Sequence, residues 1–232
     1  TNTVGTRIFV FFHRTDIIAI YAAAIPEVFI TAWDALVVQG GLTNGRWALV
    51  HAAASGVGTA AIQICKAIGA RVIATCSTNK VDACKALGAD VVVEYKTEDF
   101  VDAVKVATGG RGVDAVLDVI GGDYVDRNVA CLALKGHIVQ VGVMAGGNIP
   151  FNLGAMMGKR AKLSGTVLRA RPLEEKIAIS QRFALEILPL FETGAIKPVI
   201  DRRYAFVDIA QGHTHMESNA NIGKIVIDIS AN

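Results

Sequence analysis

The chain has 232 residues, 52% of them hydrophobic and 19% charged, with a formal net charge of +2. That length buries a good core and sets a ceiling of about two domains. The near-neutral balance, with no block of Lys or Arg, excludes an electrostatic footprint for nucleic acid or for an anionic membrane surface. Mean hydropathy is +0.43, yet the longest apolar runs, such as Ile17–Ile25, stop well short of the roughly 20 residues a membrane span needs. Cys65, Cys76, Cys84 and Cys131 form no C-x-x-C pair and sit in apolar or helical settings. They read as free buried thiols in a reducing compartment, the cytoplasm or, as the alternative, the mitochondrion. The chain opens at Thr1 without a clear signal peptide, so a processed or truncated start is an open reading.

After Gly45, short apolar β-branched runs alternate with segments of helical period. Strands are expected at 46–52, 71–75, 90–94, 113–119 and 137–143, with helices at 57–68, 79–87, 98–107 and 123–133 between them. Thr97 is placed to cap the third helix. Gly69, Gly88 and Gly136 follow helical runs, where a left-handed C-terminal cap would put them. Strands apolar on both faces and separated by helices imply a doubly wound α/β fold with a parallel sheet. Beyond Pro150 the rhythm changes. "AKLSGTVL" can add a sixth strand, and 173–191 reads as one long amphipathic helix with Ile179, Phe183, Ile187 and Phe191 on its core face. The tail reads strand, helix, strand.

The stretch "LVHAAASGVGTAAIQ" carries the first functional signal. A pyrophosphate binds where a helix N-terminus presents unpaired N–H groups and the positive end of its dipole, and bulky side chains there would block it. Against the fingerprint G-x-G-x-x-G the aligned positions are Ala53, Ser55 and Gly58, a weak match alone. The context supports it: a strand precedes, a helix follows, and the next strand ends about 20 residues on. That strand end, "ATCSTNK", has no acid to pair with ribose hydroxyls, while Ser77 and Lys80 supply a hydroxyl and a cation for a 2′-phosphate. This favours NADPH, against the plainer reading of a Ser cap and a solvated Lys. Asp118 reads as an anchor for the Gly121–Gly122 turn rather than a catalytic acid. His51, His213 and His215 read as structural or surface residues, and no clustered Cys/His spacing suggests zinc.

"AAAIPEVFITAWDAL", "ASGVGTAAIQ", "KALGAD", "EYKTEDF", "GGRGVDAVLDVIGG" and "NIGKIVIDI" occur here in that order, from Ala22 to Ile229. In this the chain resembles the zinc-independent quinone oxidoreductases of the medium-chain dehydrogenase/reductase superfamily, most closely their p53-inducible branch. The resemblance implies a Rossmann domain, NADPH as cofactor, and metal-free hydride transfer to quinones or related enones. It implies a pyrophosphate site at Ser55, Gly56, Val57 and Gly58, and a 2′-phosphate site around Ser77, Lys80 and Tyr95. Thr31 resembles the hydroxyl near the nicotinamide. Gly142 and Met144, Leu168 and Arg169, and Asn221 with Lys224 resemble further cofactor-contacting stretches.

Most of the GroES-like catalytic domain that opens members of this family has no counterpart here. The expected division is a remnant of that domain at 1–25, where "VGTRIFVFF" resembles one of its strands, a Rossmann domain at 26–165, and a helix with return strands at 166–232. His13, Arg14 and Asp16 read as loop charges. The resemblance also implies a homodimer joined at sheet edges or a seat in a larger complex, and association is expected as well from the apolar run "DAVLDV", from "HIVQVGV" as a candidate edge strand and from tail strands without their sheet partners. A rival reading from the missing pocket wall is a catalytically idle, NADPH-binding or structural subunit.

Overall fold

The computed structural model describes residues 19–149 and 151–229. The strand expected from Val4, the charges at His13, Arg14 and Asp16, and the start of the apolar run at Ile17 lie outside the described residues.

Two short helices, α1 (Ala19–Ala23) and α2 (Pro26–Trp33), lead into a π-helical turn at Asp34–Gln39 and then β1 (Trp47–Val50). The alternation follows as α3 (Gly56–Ala67), β2 (Arg71–Cys76), α4 (Val81–Ala86), β3 (Val91–Glu94), α5 (Phe100–Ala107) and β4 (Val113–Asp118). Next come α6 (Tyr124–Cys131), β5 (Leu132–Gln140), α7 (Leu153–Lys159) and β6 (Lys162–Gly165). These strands form one six-stranded sheet in the order β3-β2-β1-β4-β5-β6, and every pairing in it is parallel. The doubly wound α/β expectation holds. The chain order reverses between β1 and β4, so the loops leaving those strands diverge and open a crevice at their carboxyl ends.

Period-two alternation sorts the side chains. Ala48, Val50, Val72, Ala74, Ala115 and Leu117 join the core under α2 and α3. Leu49, Ile73, Val116 and Ile138 face the opposite way, into a second cluster with Phe100 of α5 and Val129 of α6. All four cysteines are free and buried. The C-terminal part supplies α8 (Leu173–Glu186), α9 (Leu188–Glu192), β7 (Ile200–Ala205), α10 (Ile209–Glu217) and β8 (Lys224–Asp228). Ile179, Phe183, Ile187 and Phe191 join the same core as α2, with Phe191 edge-on to Phe29 at 4.7 Å. β7 and β8 stand apart as a parallel two-stranded sheet.

Four local expectations are corrected. The cap of α5 is Asp99, not Thr97, its carboxylate accepting from the N–H of Val101 at 2.7 Å. The long helix breaks at Ile187, because Pro189 in the first turn of α9 cannot donate the hydrogen bond a continuous helix needs. Gly69 and Gly88 adopt the left-handed caps. Near Gly136 it is Lys135 that has the positive φ, 64°. Gly136 is required by crowding, since a Cβ there would meet Leu132 Cδ2 at 2.8 Å and the Val113 carbonyl at 3.0 Å. Finally, "HIVQVGV" is not at an edge. β4 and β5 are paired on both sides, and the open edges belong to β3 and β6.

Candidate functional site

Loops from all six strands of the main sheet meet at its carboxyl edge. After β1 the chain turns through Ala52, whose φ of 48° is left-handed, and enters α3. The residue bearing the unusual backbone is therefore Ala52, one position before the aligned Ala53. Ser55 is the N-cap of α3, its hydroxyl accepting from the N–H of Gly58 at 3.1 Å. Gly58 lies against the turn so closely that a Cβ would sit 2.5 Å from the Ala52 carbonyl oxygen and from Ala53. That is the close helix-to-strand packing the third glycine of the fingerprint serves. The N–H groups of Gly56 and Val57, at the start of α3, have no acceptor earlier in the helix, and Val57 lines the cleft described below.

The C-terminal segment closes on this turn. Gly223 donates its N–H to the Ala54 carbonyl at 2.8 Å and bridges to Ser55. A Cβ on Gly56 would meet Lys224 Cδ at 2.8 Å. Asn221 bonds the Gly223 carbonyl through Nδ2 at 3.1 Å, and Lys80 Nζ donates to the Asn221 carbonyl at 2.8 Å. Ser55, Gly56, Gly58, Lys80, Asn221 and Lys224 are thus brought together.

Ser77 lies beside Lys80, with its hydroxyl bonded to Asn79 Oδ1 at 2.9 Å. Tyr95, exposed, donates its N–H to the Cys76 carbonyl next door. A carboxylate approaches this loop after all, though not from β2: Glu94, at the end of β3, accepts from the Thr78 hydroxyl.

Thr31, Val57, Leu168 and Arg169 line a cleft of about 270 Å³ together with Glu27, Asp34, Val141, Thr166 and Val167. Gly142 and Met144 follow Val141, but the Met144 side chain is 73% exposed and does not line the cleft. Glu27, Thr31 and Asp34 are spaced i, i+4 and i+7, a polar stripe along α2 and into the π-helical turn, of which only Thr31 was legible in the sequence as a site residue.

A buried polar chain underpins the crevice. His51 pairs Nδ1 with the Thr75 hydroxyl at 3.0 Å and Nε2 with Asn128 Oδ1 at 2.7 Å. Asn128 Nδ2 donates to Asp118 Oδ2 at 2.9 Å, and Asp118 Oδ1 accepts from the N–H groups of Ile120 and Gly121 at 2.6 and 3.1 Å. Burial pushes the His51 pKa down, outweighing the Asp118 charge that raises it; because Asn128 spends its Nδ2 on Asp118, its Oδ1 can only accept, which places a proton on His51 Nε2. Asp118 anchors the glycine turn, and His51 is structural.

A family model for zinc-binding dehydrogenases matches residues 56–182, more than half of the chain. The chain belongs to this family, within the medium-chain dehydrogenase/reductase superfamily. It is 32% identical over 221 residues to polyketide synthase 37 of Dictyostelium discoideum, covering 89% of this chain and 7% of that one. Human quinone oxidoreductase is 28% identical over 207 residues, covering 88% of this chain and 61% of that one. A crystal structure titled as an NAD-dependent alcohol dehydrogenase superposes with a TM-score of 0.79 at 33% identity, covering 92% of this chain and 60% of its own. The chain thus spans less than two thirds of each.

The zinc in the family's name finds no fitting set of donors among the described residues. Among the described residues no group of three or more His, Cys, Asp or Glu could hold a metal ion. Burial pushes the Cys65 and Cys131 thiols up to about 12, while Cys76 and Cys84 are hydrogen-bonded to one another. A dinucleotide does fit this dehydrogenase fold: the capped α3 terminus, the close α3-to-β1 packing at Gly58 and the cleft beside Thr31 follow one sheet edge. No helix among the described residues is long and apolar enough to cross a membrane.

Proposed function

We propose that this chain is the nucleotide-binding part of a zinc-independent, NADPH-dependent oxidoreductase that reduces quinones or related enones. One observation carries the reading: the α3 turn at Ser55–Gly58, the Lys80 cation and the Thr31–Arg169 cleft lie along the carboxyl edge of one parallel sheet. NADPH bound there supplies a hydride, and with it the redox chemistry. The chain's own residues bind and orient. The first turn of α3 takes the pyrophosphate, Ser77 and Lys80 the 2′-phosphate, and Thr31 with Val57, Leu168 and Arg169 encloses the nicotinamide end. Orientation and exclusion of water are the protein's contribution, and no side chain in the cleft is needed as a general acid because a quinone can take protons from solvent.

Spectrophotometric NADPH oxidation with a simple para-quinone tests the proposal. Quinone-dependent oxidation supports it. Binding without turnover supports the idle subunit, and absence of binding overturns both. A second reading, NADH preference, is favoured by Glu94 beside Thr78, because a carboxylate there can pair with ribose hydroxyls. The same assay with NADH separates the two.

A further inference from the structure

Asp34 and Arg171 meet across the cleft wall. Asp34 opens the π-helical turn after α2 and is 4% exposed. Arg171 stands near the end of the loop that leaves β6. Its guanidinium forms an ion pair with Asp34, with side-chain exposures of 16% and 5%, and the same nitrogen donates to the Thr166 hydroxyl at 2.5 Å. Thr166 opens that loop and Arg171 stands one residue before its end at Pro172, the N-cap of α8, so one guanidinium ties the start of the loop to its far end. Leu168 and Arg169, which line the cleft, lie between them.

Asp34 is itself held. Gln39 Nε2 donates to Asp34 Oδ2 at 2.6 Å, a contact five residues apart that the wider π turn permits, with the Gly40 N–H reaching back to the Ala35 carbonyl at 2.9 Å. The Gln39 carbonyl accepts from His137 Nδ1 of β5 at 2.9 Å, and His137 Nε2 meets the Ser164 hydroxyl of β6 at 2.8 Å. The turn, both strands and the loop form one polar unit. Desolvating such an ion pair is expensive, and a well-packed apolar pair could fill the same space. What the charged pair adds is a fixed register for the loop.

We propose that the Asp34–Arg171 pair is a latch that positions the Thr166–Arg171 loop as a wall of the dinucleotide cleft, making Asp34 and Arg171 positioning residues for cofactor binding. This rests on the reading that the cleft takes a dinucleotide. The test compares wild type with Arg171→Gln, Asp34→Asn, the double variant and Arg171→Lys. It measures amide hydrogen exchange over 166–171, the thermal midpoint, and NADPH affinity by fluorescence titration. Each of the first two variants should speed exchange in the loop beyond any global change and weaken NADPH by about tenfold. The double variant should lose no more than either single one, and Arg171→Lys should recover part of the affinity. A lowered thermal midpoint with loop exchange and NADPH affinity unchanged would overturn the latch. If wild type binds no dinucleotide, the functional reading fails, and exchange over 166–171 still decides whether the pair holds the loop. Should Arg171→Gln fail to fold, Arg171→Lys and Asp34→Asn carry the same comparison.

Discussion

At Gly58 the demand for glycine comes from packing. A Cβ there would strike backbone atoms of Ala52 and Ala53, which cannot swing away, whereas one on Gly56 would meet mainly the flexible Lys224 side chain and Val28 Cγ1 at 3.0 Å. Gly58→Ala should therefore lose about 1–3 kcal/mol in urea unfolding, and Gly56→Ala clearly less. Equal losses would contradict this account of the turn. The branched change Gly58→Val should also abolish dinucleotide binding, because it separates α3 from β1. His51 gives a prediction about pH. Its folded pKa lies below the ordinary 6.5 because of burial, so the unfolded chain binds the extra proton first. The stability it contributes is fully present above 6.5 and is lost as pH falls toward the folded value. Melting followed from pH 7.5 down to pH 5.5 should show a falling midpoint, and His51→Gln should flatten that slope. An unchanged slope in the variant would assign the effect elsewhere, with His137, also pushed down by burial, the first alternative.

Among the elements, α5 shows how a cap fixes a boundary. Asp99 accepts from two N–H groups. Burial alone would raise its carboxyl pKa, but the Val101 hydrogen bond and the nearby Arg127 charge hold it below the usual range. Asp99→Ala should cost about 1 kcal/mol by chemical denaturation, and no loss would return the cap to Thr97. The alternation of strands and helices was legible in the sequence because the central strands β1, β2 and β4 are apolar and buried on both faces, and such runs have one stable home. The glycine turn was legible because strand, small residues and helix follow one another within about 20 positions. Three features were hidden. The π turn at Asp34–Gln39 has no compositional mark of its own. The Lys80–Asn221 link joins residues far apart in sequence, and the approach of Glu94 to Thr78 depends on which strands are neighbours. Strand order was hidden for the same reason, so β5 was mistaken for an edge.

For the molecule as a whole, β3 and β6 end the main sheet among the described residues, and β6 carries the more apolar surroundings. Leu163 on that strand shares a cleft with Val143, and Leu153 and Met157 of the preceding α7 are exposed, so large apolar side chains lie near a strand that, among the described residues, pairs only with β5. Such an edge invites a second strand, and two copies can pair β6 with β6 about a twofold axis. The homodimer implied by the family resemblance should form there, so Leu163→Asp should shift sedimentation from dimer to monomer. A wild-type monomer at micromolar concentration would contradict it. The central claim, that this sheet edge holds NADPH, is tested most directly by calorimetric titration of the intact chain and of Lys80→Ala with NADPH and NADH. The account predicts tighter binding of NADPH by wild type, and a loss of about tenfold or more for NADPH alone in the variant. Equal affinity for the two nucleotides, or equal losses for both in Lys80→Ala, would contradict it.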